Sequence, residues 1–377
     1  MNFSKFDHRC MANALQLAWL GVNTTHPNPR VGCVIAKDDR VLGKGWHEKA
    51  GSAHAEINAL ADAGDNACGA TAYVTLEPCS HSGKTPPCVE ALIEAKIARV
   101  VCALEDPNPE VSGQGILRLQ QAGIEVQAGL MAAQAEEQNS GFLMRMRQGR
   151  PWVRIKLAQS MDGHIALANG NSQWISGPEA RADVQRWRAR SDAILTGIGT
   201  VLADDPSLNV RTGGNVRGGN VRQPLRVIAD SHWRTPPDAN LLGLAGPVLI
   251  AGLKADNIPE ALANSAAELI VLPAVDDHVD LAQLLQELGR RGVNEVQVEA
   301  GAIFCGALMQ QGLVDEVLIY QAPVFLGGGA VSPFATPRLD NMDDRVHLKW
   351  MDSRRIGNDL RLRLRPVNQG LKSRSGG

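Results

Sequence analysis

Short apolar runs rich in Val and Ile alternate with stretches of helical period, and no other feature restricts the fold of this chain so strongly. Strand-type runs fall at 31–36 (VGCVIA), 41–46 (VLGKGW), 71–77 (TAYVTLE), 99–104 (RVVCAL) and 124–129 (IEVQAG), and helix-type stretches at 54–64, 88–98 and 115–123. The turn KDDR between the first two runs predicts a hairpin, and Gly64 predicts a helix stop. A polar, proline-bearing turn, QGRP (148–151), precedes a second series. Its strands are expected at 152–158, 193–199, 225–231, 247–252, 268–274, 295–301 and 316–327, and its helices at 177–191, 281–292 and 302–313. Alternation of this length predicts α/β layers in both halves. A chain of 377 residues exceeds one hydrophobic core. The expected division is therefore 1–148, 149–367 and a disordered tail, 368–377. The repeat GGNVRGGNVR (213–222) is read as a flexible surface insertion with no chemistry of its own.

Composition narrows the function classes. At 44% hydrophobic and 21% charged, the profile is that of a soluble globular protein. No apolar run reaches the ~18 residues of a membrane helix. The first 21 residues do not read as a signal peptide; Phe6, Met11, Leu15 and Trp19 at helical spacing predict an amphipathic helix instead. A net charge of −2 and 4% aromatics count against a nucleic-acid surface. Seven scattered cysteines predict a reduced, cytoplasmic setting with no disulfides. Small molecules are the expected partners, with no nucleic acid and no membrane; composition leaves a homo-oligomer open.

The first chemical constellation is HAE (54–56) opening a helix, PC (78–79) after a strand, and PC (87–88) opening the next helix. It matches H-x-E…P-C…P-C, the zinc nucleobase-deaminase pattern. His54, Cys79 and Cys88 would supply three ligands, and a tetrahedral zinc then keeps one position for water, as catalytic sites do. Cys88 at a helix start is expected to favour the thiolate. A water activated by zinc becomes a nucleophile near neutral pH, with Glu56 as the proton shuttle. The bland alternative makes His54 a helix cap and both cysteines buried hydrophobes; ligand number, order and placement together favour zinc.

Eight residues separate Cys79 from Cys88, where the pattern usually has two. The segment SHSGKTPP must loop out beside the metal. His81 and Lys84 become candidates for a substrate phosphate, against the alternative of a solvated loop.

The second half has no G-x-G-x-x-G after a strand. TGIGTVLADDPSLNVR (196–211) and VEAGAIFCGAL (298–308) pass from strand through glycine into a turn or helix start, and such a start can seat a pyrophosphate. From the residues alone this half is an α/β ligand-binding unit of unassigned chemistry.

THPNPRVGCVI, HAEINAL, TLEPCSHSGKTPPC and DPNPEVSGQG together resemble the deaminase half of the bifunctional riboflavin-biosynthesis deaminase/reductase family. That resemblance implies a cytidine-deaminase-like three-layer domain, His54, Cys79 and Cys88 as ligands of one Zn2+, Glu56 as acid/base, and substrate contacts from Asn28, His47, His81 and Lys84. It departs at Ala53, where the family often has proline. KLAQSMDGHIAL, NSQWISGPEAR, LTGIGTVLADDPSLNVR, RVIADS and VEAGAIFCGALMQQGLVDEVLIYQAP are similar to the family's reductase half, which has a dihydrofolate-reductase-like fold. The resemblance spans about residues 6 to 365. It implies an NADPH site at Ala158, Trp174, Thr200, Asp204, Ser231, Gly301, Ala302 and Ile303. It further implies a substrate site at Ser172, Arg188, Leu208, Arg211 and Glu299, with Lys156 on the same strand edge to polarise the sugar. Without the family, Arg188 would be an ordinary helix arginine, Asp204 a turn former and Trp174 core.

The implied activity is deamination of 2,5-diamino-6-ribosylamino-4(3H)-pyrimidinone 5′-phosphate, then NADPH-dependent reduction of the ribosyl group to ribityl. The zinc pattern alone admits two rivals: a tRNA or nucleoside deaminase with an accessory nucleotide-binding domain, and a structural zinc module on a nucleotide-sensing domain.

Overall fold

The computed structural model describes residues 3–80, 87–108, 112–211 and 222–367. His81 and Lys84, residues 213–221 of the repeat, and the tail from 368 lie outside these. The chain divides into two compact units, Met1–Gly149 and Arg150–Gly377. Among the described residues no helix is long and apolar enough to cross a membrane.

In the first unit, α1 (Lys5–Ala18) begins with a capping box: Asp7 N–H donates to Ser4 Oγ, and Ser4 N–H to the Asp7 carboxylate. It buries Cys10, Met11, Ala14 and Ala18. Trp19, expected on that buried face, lies beyond the helix end and is exposed. β1 (Gly32–Lys37) and β2 (Arg40–Trp46) form the expected antiparallel hairpin. α2 (Ala55–Ala63) lies on β2 through small residues. A Cβ at Gly43 would sit 2.3 Å from the Ala59 carbonyl oxygen, and one at Gly45 2.3 Å from that of Ala55. Only glycine permits so close an approach, and it sets the start of α2, where His54 stands.

β3 (Thr71–Val74), α3 (Cys88–Glu94), β4 (Arg99–Cys102), α4 (Gln114–Gln121), β5 (Glu125–Ala128), α5 (Ala132–Gln138) and α6 (Ser140–Gln148) complete the unit. The sheet runs β2–β1–β3–β4–β5, with β3, β4 and β5 parallel. Alternate strand residues serve opposite layers: Cys33 and Ile35 pack with Ala59 and Leu92, while Val34 and Ala36 pack with Met11 and Phe142. This is the expected three-layer arrangement. The helix expected over 88–98 stops at Glu94, because Lys96 takes a left-handed backbone (φ 53°) to turn into β4. α5 and α6 were not expected; their polar composition hides the buried Ala135, Phe142 and Leu143.

The second unit contains β6 (Trp152–Gln159), α7 (Pro178–Arg190), β7 (Ala193–Gly197), α8 (Ile198–Asp204), β8 (Leu225–Ala229), α9 (Asn240–Gly243), β9 (Val248–Gly252), α10 (Glu260–Ala263), β10 (Glu268–Val271), β11 (Ala274–Val275), β12 (His278–Val279), α11 (Leu281–Arg290), β13 (Glu295–Val298), α12 (Ala302–Gln310), β14 (Glu316–Gln321), β15 (Leu348–Ile356) and β16 (Asp359–Pro366). The main sheet runs β10–β9–β8–β7–β13–β6–β14–β16–β15 and is parallel from β10 to β14. β13 inserts between β6 and β7, so the strand order reverses there. Such a switch point opens a crevice at the carboxyl ends of the strands.

One sheet face is apolar and packs on α11 and α12 through Leu284, Leu288, Cys305 and Leu308; each fully buried Leu contributes roughly 1.5–3 kcal/mol. Under α7 the other face is ionic. Arg154 donates to Glu316 at 2.6 Å and Glu295 at 3.2 Å, and its guanidinium lies 4.5 Å from the Trp187 ring centroid.

Three corrections follow. The strand expected over 316–327 ends at Gln321, since Pro323 has no N–H to continue pairing. The run expected at 193–199 turns into α8 at Ile198. The hairpin β15–β16 was not expected at all.

Candidate active sites

His54 occupies the N-cap position of α2, yet its ring makes no cap hydrogen bond. Its Nδ1 instead lies 3.2 Å from Cys88 Sγ and 3.5 Å from Cys79 Sγ. Cys88 N–H donates to Cys79 Sγ at 3.4 Å, and the three candidate ligand atoms all lie within 4.8 Å of one another. Tetrahedral zinc with ordinary Zn–N and Zn–S bonds separates its ligand atoms by about 3.5 to 3.8 Å. The donor set and its spacing therefore fit zinc, and among the described residues no fourth protein ligand joins them. The helix-cap alternative for His54 does not describe this geometry.

Hydrogen bonding from Cys88 lowers the Cys79 thiol, while the same bond, together with burial, raises Cys88. Glu56, in the first turn of α2, is only 3% exposed. Burial, followed by the Cys79 charge, pushes its carboxyl up to about 7.

His47 and Asn28 join this cluster. The His47 ring meets His54 edge-on, with centroids 5.3 Å apart. Burial lowers the His47 pKa, so the ring is neutral. Its Nδ1 donates to the Ala53 carbonyl at 3.2 Å, since a carbonyl only accepts. Nε2 is then an acceptor for the Asn28 amide, also at 3.2 Å.

In the second unit, Arg188 of α7 makes a bidentate pair with Glu299, just past β13: Nε to Oε1 at 2.7 Å and Nη2 to Oε2 at 2.9 Å. Arg188 Nη1 also donates to the Asn209 carbonyl, which ties in buried Leu208. Although burial opposes ionisation, Arg188 and Lys156 hold the Glu299 carboxyl down to about 2. Lys156 is pulled down, first by burial. It lies on β6, whose Ile155 pairs with Val298. The structure thus brings Lys156, Arg188 and Glu299 to one strand edge. The helix-surface alternative for Arg188 fails because its side chain is largely buried.

Next to this edge, β7 and β13 are adjacent parallel strands that run into α8 and α12. Gly301 N–H donates to Thr200 Oγ1 at 3.2 Å, joining the two turns. A Cβ at Gly301 would meet open space, and Ile303 is 82% exposed. The first N–H groups of α12, at Ala302 and Ile303, lack partners within the helix, and so fit a dinucleotide pyrophosphate. Trp174 is 70% exposed, with the Arg181 guanidinium 4.7 Å from its ring centroid; it is not core. Ala158 pairs with Tyr320 on β14, and Ser231 Oγ is engaged by Val279 N–H. Ser172 is half-buried ahead of α7. Asp204 closes α8 on the surface, and Arg211 is exposed, its backbone N–H donating to Gln185. These last two take no part in the Arg188–Glu299 pair.

Sequence reasoning missed Gln297, which donates to Glu299 Oε1 at 2.8 Å. The available signal was strand alternation, which puts residues 297 and 299 on one face.

A family described as the RibD C-terminal domain matches residues 151–362, and one described as the cytidine and deoxycytidylate deaminase zinc-binding region matches residues 4–104. Riboflavin biosynthesis protein RibD of Escherichia coli (strain K12) is 48% identical over 367 residues, covering 95% of this chain and 99% of that protein. The Haemophilus influenzae protein of the same name is 46% identical, with 97% and 99% covered. Among solved structures, Acinetobacter baumannii RibD (form 1) matches with a TM-score of 0.89 at 44% identity, covering 97% of this chain and 99% of that one. A diaminohydroxyphosphoribosylaminopyrimidine deaminase/5-amino-6-(5-phosphoribosylamino)uracil reductase from Thermotoga maritima matches with a TM-score of 0.84 at 30% identity, covering 96% and 99%.

Proposed function

The chain belongs to the RibD family of bifunctional riboflavin-biosynthesis enzymes, and from that premise we propose which residues divide its two reactions. It is a hydrolytic deaminase and a reductase, with zinc and NADPH as cofactors. In our reading His54, Cys79 and Cys88 hold the zinc, Glu56 moves the protons, and Lys156, Arg188 and Glu299 receive the sugar of the second substrate. The substrate of the first step is 2,5-diamino-6-ribosylamino-4(3H)-pyrimidinone 5′-phosphate, and the second step turns ribosyl into ribityl, both in the cytoplasm. The observation that carries this reading is the convergence of one imidazole and two sulfurs beside the buried Glu56 carboxyl.

Zinc, when bound, supplies the Lewis acidity that lets a water lose a proton near neutral pH. Glu56 accepts that proton and passes one to the amino group. The water oxygen bonds to the ring carbon, the C–N bond breaks and ammonia leaves; the second water proton ends on the ring nitrogen as the oxygen becomes the ring carbonyl. A carboxyl near 7 can both accept and donate at working pH. Neutral His47 and Asn28 present polar atoms to the pyrimidine, and His81 and Lys84 meet the phosphate.

In the second reaction NADPH supplies the hydride. The turns carrying Thr200 and Gly301 would hold it, flanked by Ala158, Trp174, Asp204, Ser231, Ala302 and Ile303. Glu299, ionised and fixed by Arg188, accepts hydrogen bonds from sugar hydroxyls; Ser172, Leu208 and Arg211 flank it. Lys156, its pKa lowered by burial, gives a proton to the ring oxygen as its bond to the anomeric carbon breaks; the C=N bond formed to the amino nitrogen then accepts the hydride at that carbon.

Ammonia release and NADPH oxidation on the pyrimidine phosphate, with bound metal measured, test the whole reading. Turnover of tRNA or free nucleosides, with none of the pyrimidine phosphate, would replace it by the first rival. Two variants separate its parts. Cys88→Ser is expected to lose zinc and ammonia release while NADPH oxidation persists; loss of both activities would show that the halves are not independent. Lys84→Ala is expected to raise KM more for the phosphorylated than for the dephosphorylated pyrimidine, and an equal rise for both would remove the phosphate role.

A further inference from the structure

Glu77 stands two residues before Cys79 and is 4% exposed. Its carboxylate accepts four backbone hydrogen bonds. Oε2 takes the N–H groups of Asp106 at 3.1 Å and Gly113 at 3.0 Å; Oε1 takes those of Gly115 at 2.8 Å and Ile116 at 3.1 Å. Its own N–H donates to the Leu104 carbonyl at 2.9 Å. A carboxylate engaged by four backbone donors is occupied as a structural acceptor and is not free to meet substrate. It joins three pieces of chain: the segment leaving β3, the segment leaving β4, and the first turn of α4.

The contact is close as well as polar. A Cβ at Gly115 would lie 2.1 Å from the Pro78 carbonyl oxygen, so α4 rests directly on the residue before Cys79. On the other side, the Cys79 carbonyl accepts from Val89 N–H at 3.3 Å and Cys79 Sγ from Cys88 N–H at 3.4 Å. The segment Glu77–Cys79 is therefore gripped from both sides, by the start of α3 through Cys79 and by the start of α4 through Glu77.

The three candidate ligands are not held alike. His54 directly precedes α2 and Cys88 opens α3, so helix geometry sets both positions. Cys79 lies on irregular chain past the end of β3. Its sulfur depends on whatever fixes that chain.

We propose that Glu77 is a positioning residue for zinc: by tying residues 77–79 to α4 it sets the Cys79 sulfur against His54 and Cys88, and so sets the metal affinity. This deepens, and rests on, the zinc reading above. The competing role is that of an ordinary helix cap, which would alter stability and leave the zinc affinity of the folded chain unchanged.

The full-length Glu77→Gln variant distinguishes the two roles. The amide keeps the shape but turns an NH2 toward backbone donors. Zinc affinity is measured by competition with a chromogenic chelator, well below the thermal transition, with NADPH oxidation as the internal control. Zinc is expected to bind about 10- to 100-fold more weakly, with reductase activity unchanged. A lowered Tm together with wild-type zinc affinity would overturn the proposal. Should Glu77→Gln fail to fold its first unit, Glu77→Asp decides: it keeps the charge but shortens the reach, and wild-type affinity there would equally sink the idea. If the unmodified chain itself binds no zinc, the zinc reading fails, which is a different result from either.

Discussion

Replacing Glu56 by Gln is expected to slow ammonia release by about 10²- to 10⁴-fold, the usual contribution of a positioned acid/base. Zinc content and NADPH oxidation should stay at wild-type levels. The amide has the shape of the carboxyl group but cannot accept the proton of the attacking water. Stability should not suffer, because the buried carboxyl is already disfavoured as an anion, and the neutral amide does not carry that cost. Ammonia release at the wild-type rate by a zinc-loaded variant would remove Glu56 from the mechanism and favour a structural zinc module. Loss of zinc in this variant would instead make Glu56 part of the metal site.

Glu299→Leu is expected to abolish NADPH oxidation on the pyrimidine substrate and to lower the unfolding free energy of the second unit by roughly 3–5 kcal/mol. The two side chains of the Arg188–Glu299 pair are each 11% exposed. Removing the carboxylate strands the Arg188 charge and Lys156 in a poorly hydrated place. Ammonia release should persist, which separates a local effect from global unfolding. The double variant Glu299→Leu/Arg188→Met should recover much of the stability but not the activity, since it removes the guanidinium, which cannot shed its charge, and leaves Lys156, which burial already disfavours as a cation, free to lose its proton. The pH dependence has a definite sign. Glu299 is lowered in the folded state from an ordinary 4.5 to about 2, so its contribution is complete above about pH 4.5 and is lost as pH falls toward 2. Denaturant unfolding across that window should show the gap between wild type and Glu299→Leu closing with acid; a constant gap would refute the assignment.

Local pattern made much of this molecule legible. The alternation of apolar runs located β1 to β10, β13 and β14 within a few residues, because a strand edge or helix face is written in neighbouring positions. The gathering of the candidate ligands near Glu56 was legible for a similar reason. His54 and Glu56 share one helix start, and each cysteine directly follows a proline. The hairpin β15–β16 shows where such reading stops. DLRLRLRP alternates leucine and arginine cleanly, but polarity does not say which face is inside. Here the arginine side is engaged by buried acids: Arg363 with Glu316 at 2.6 Å and Arg361 with Asp183 at 2.9 Å.

By itself, then, the order of residues determined the layered α/β class and singled out the candidate metal ligands and the acid beside them. Tertiary structure alone decided which charges are paired and which group holds a proton. Arg188 meets Glu299 across 111 positions, because β13 inserts beside β6 under α7. Burial pushes the Glu56 carboxyl up to about 7, which its place in the first turn of α2 alone does not suggest. Glu77 reaches Ile116 across 39 positions to hold the chain that carries Cys79. Periodicity is a property of near neighbours in sequence, whereas desolvation and ion pairing depend on distances that exist only after distant segments have packed.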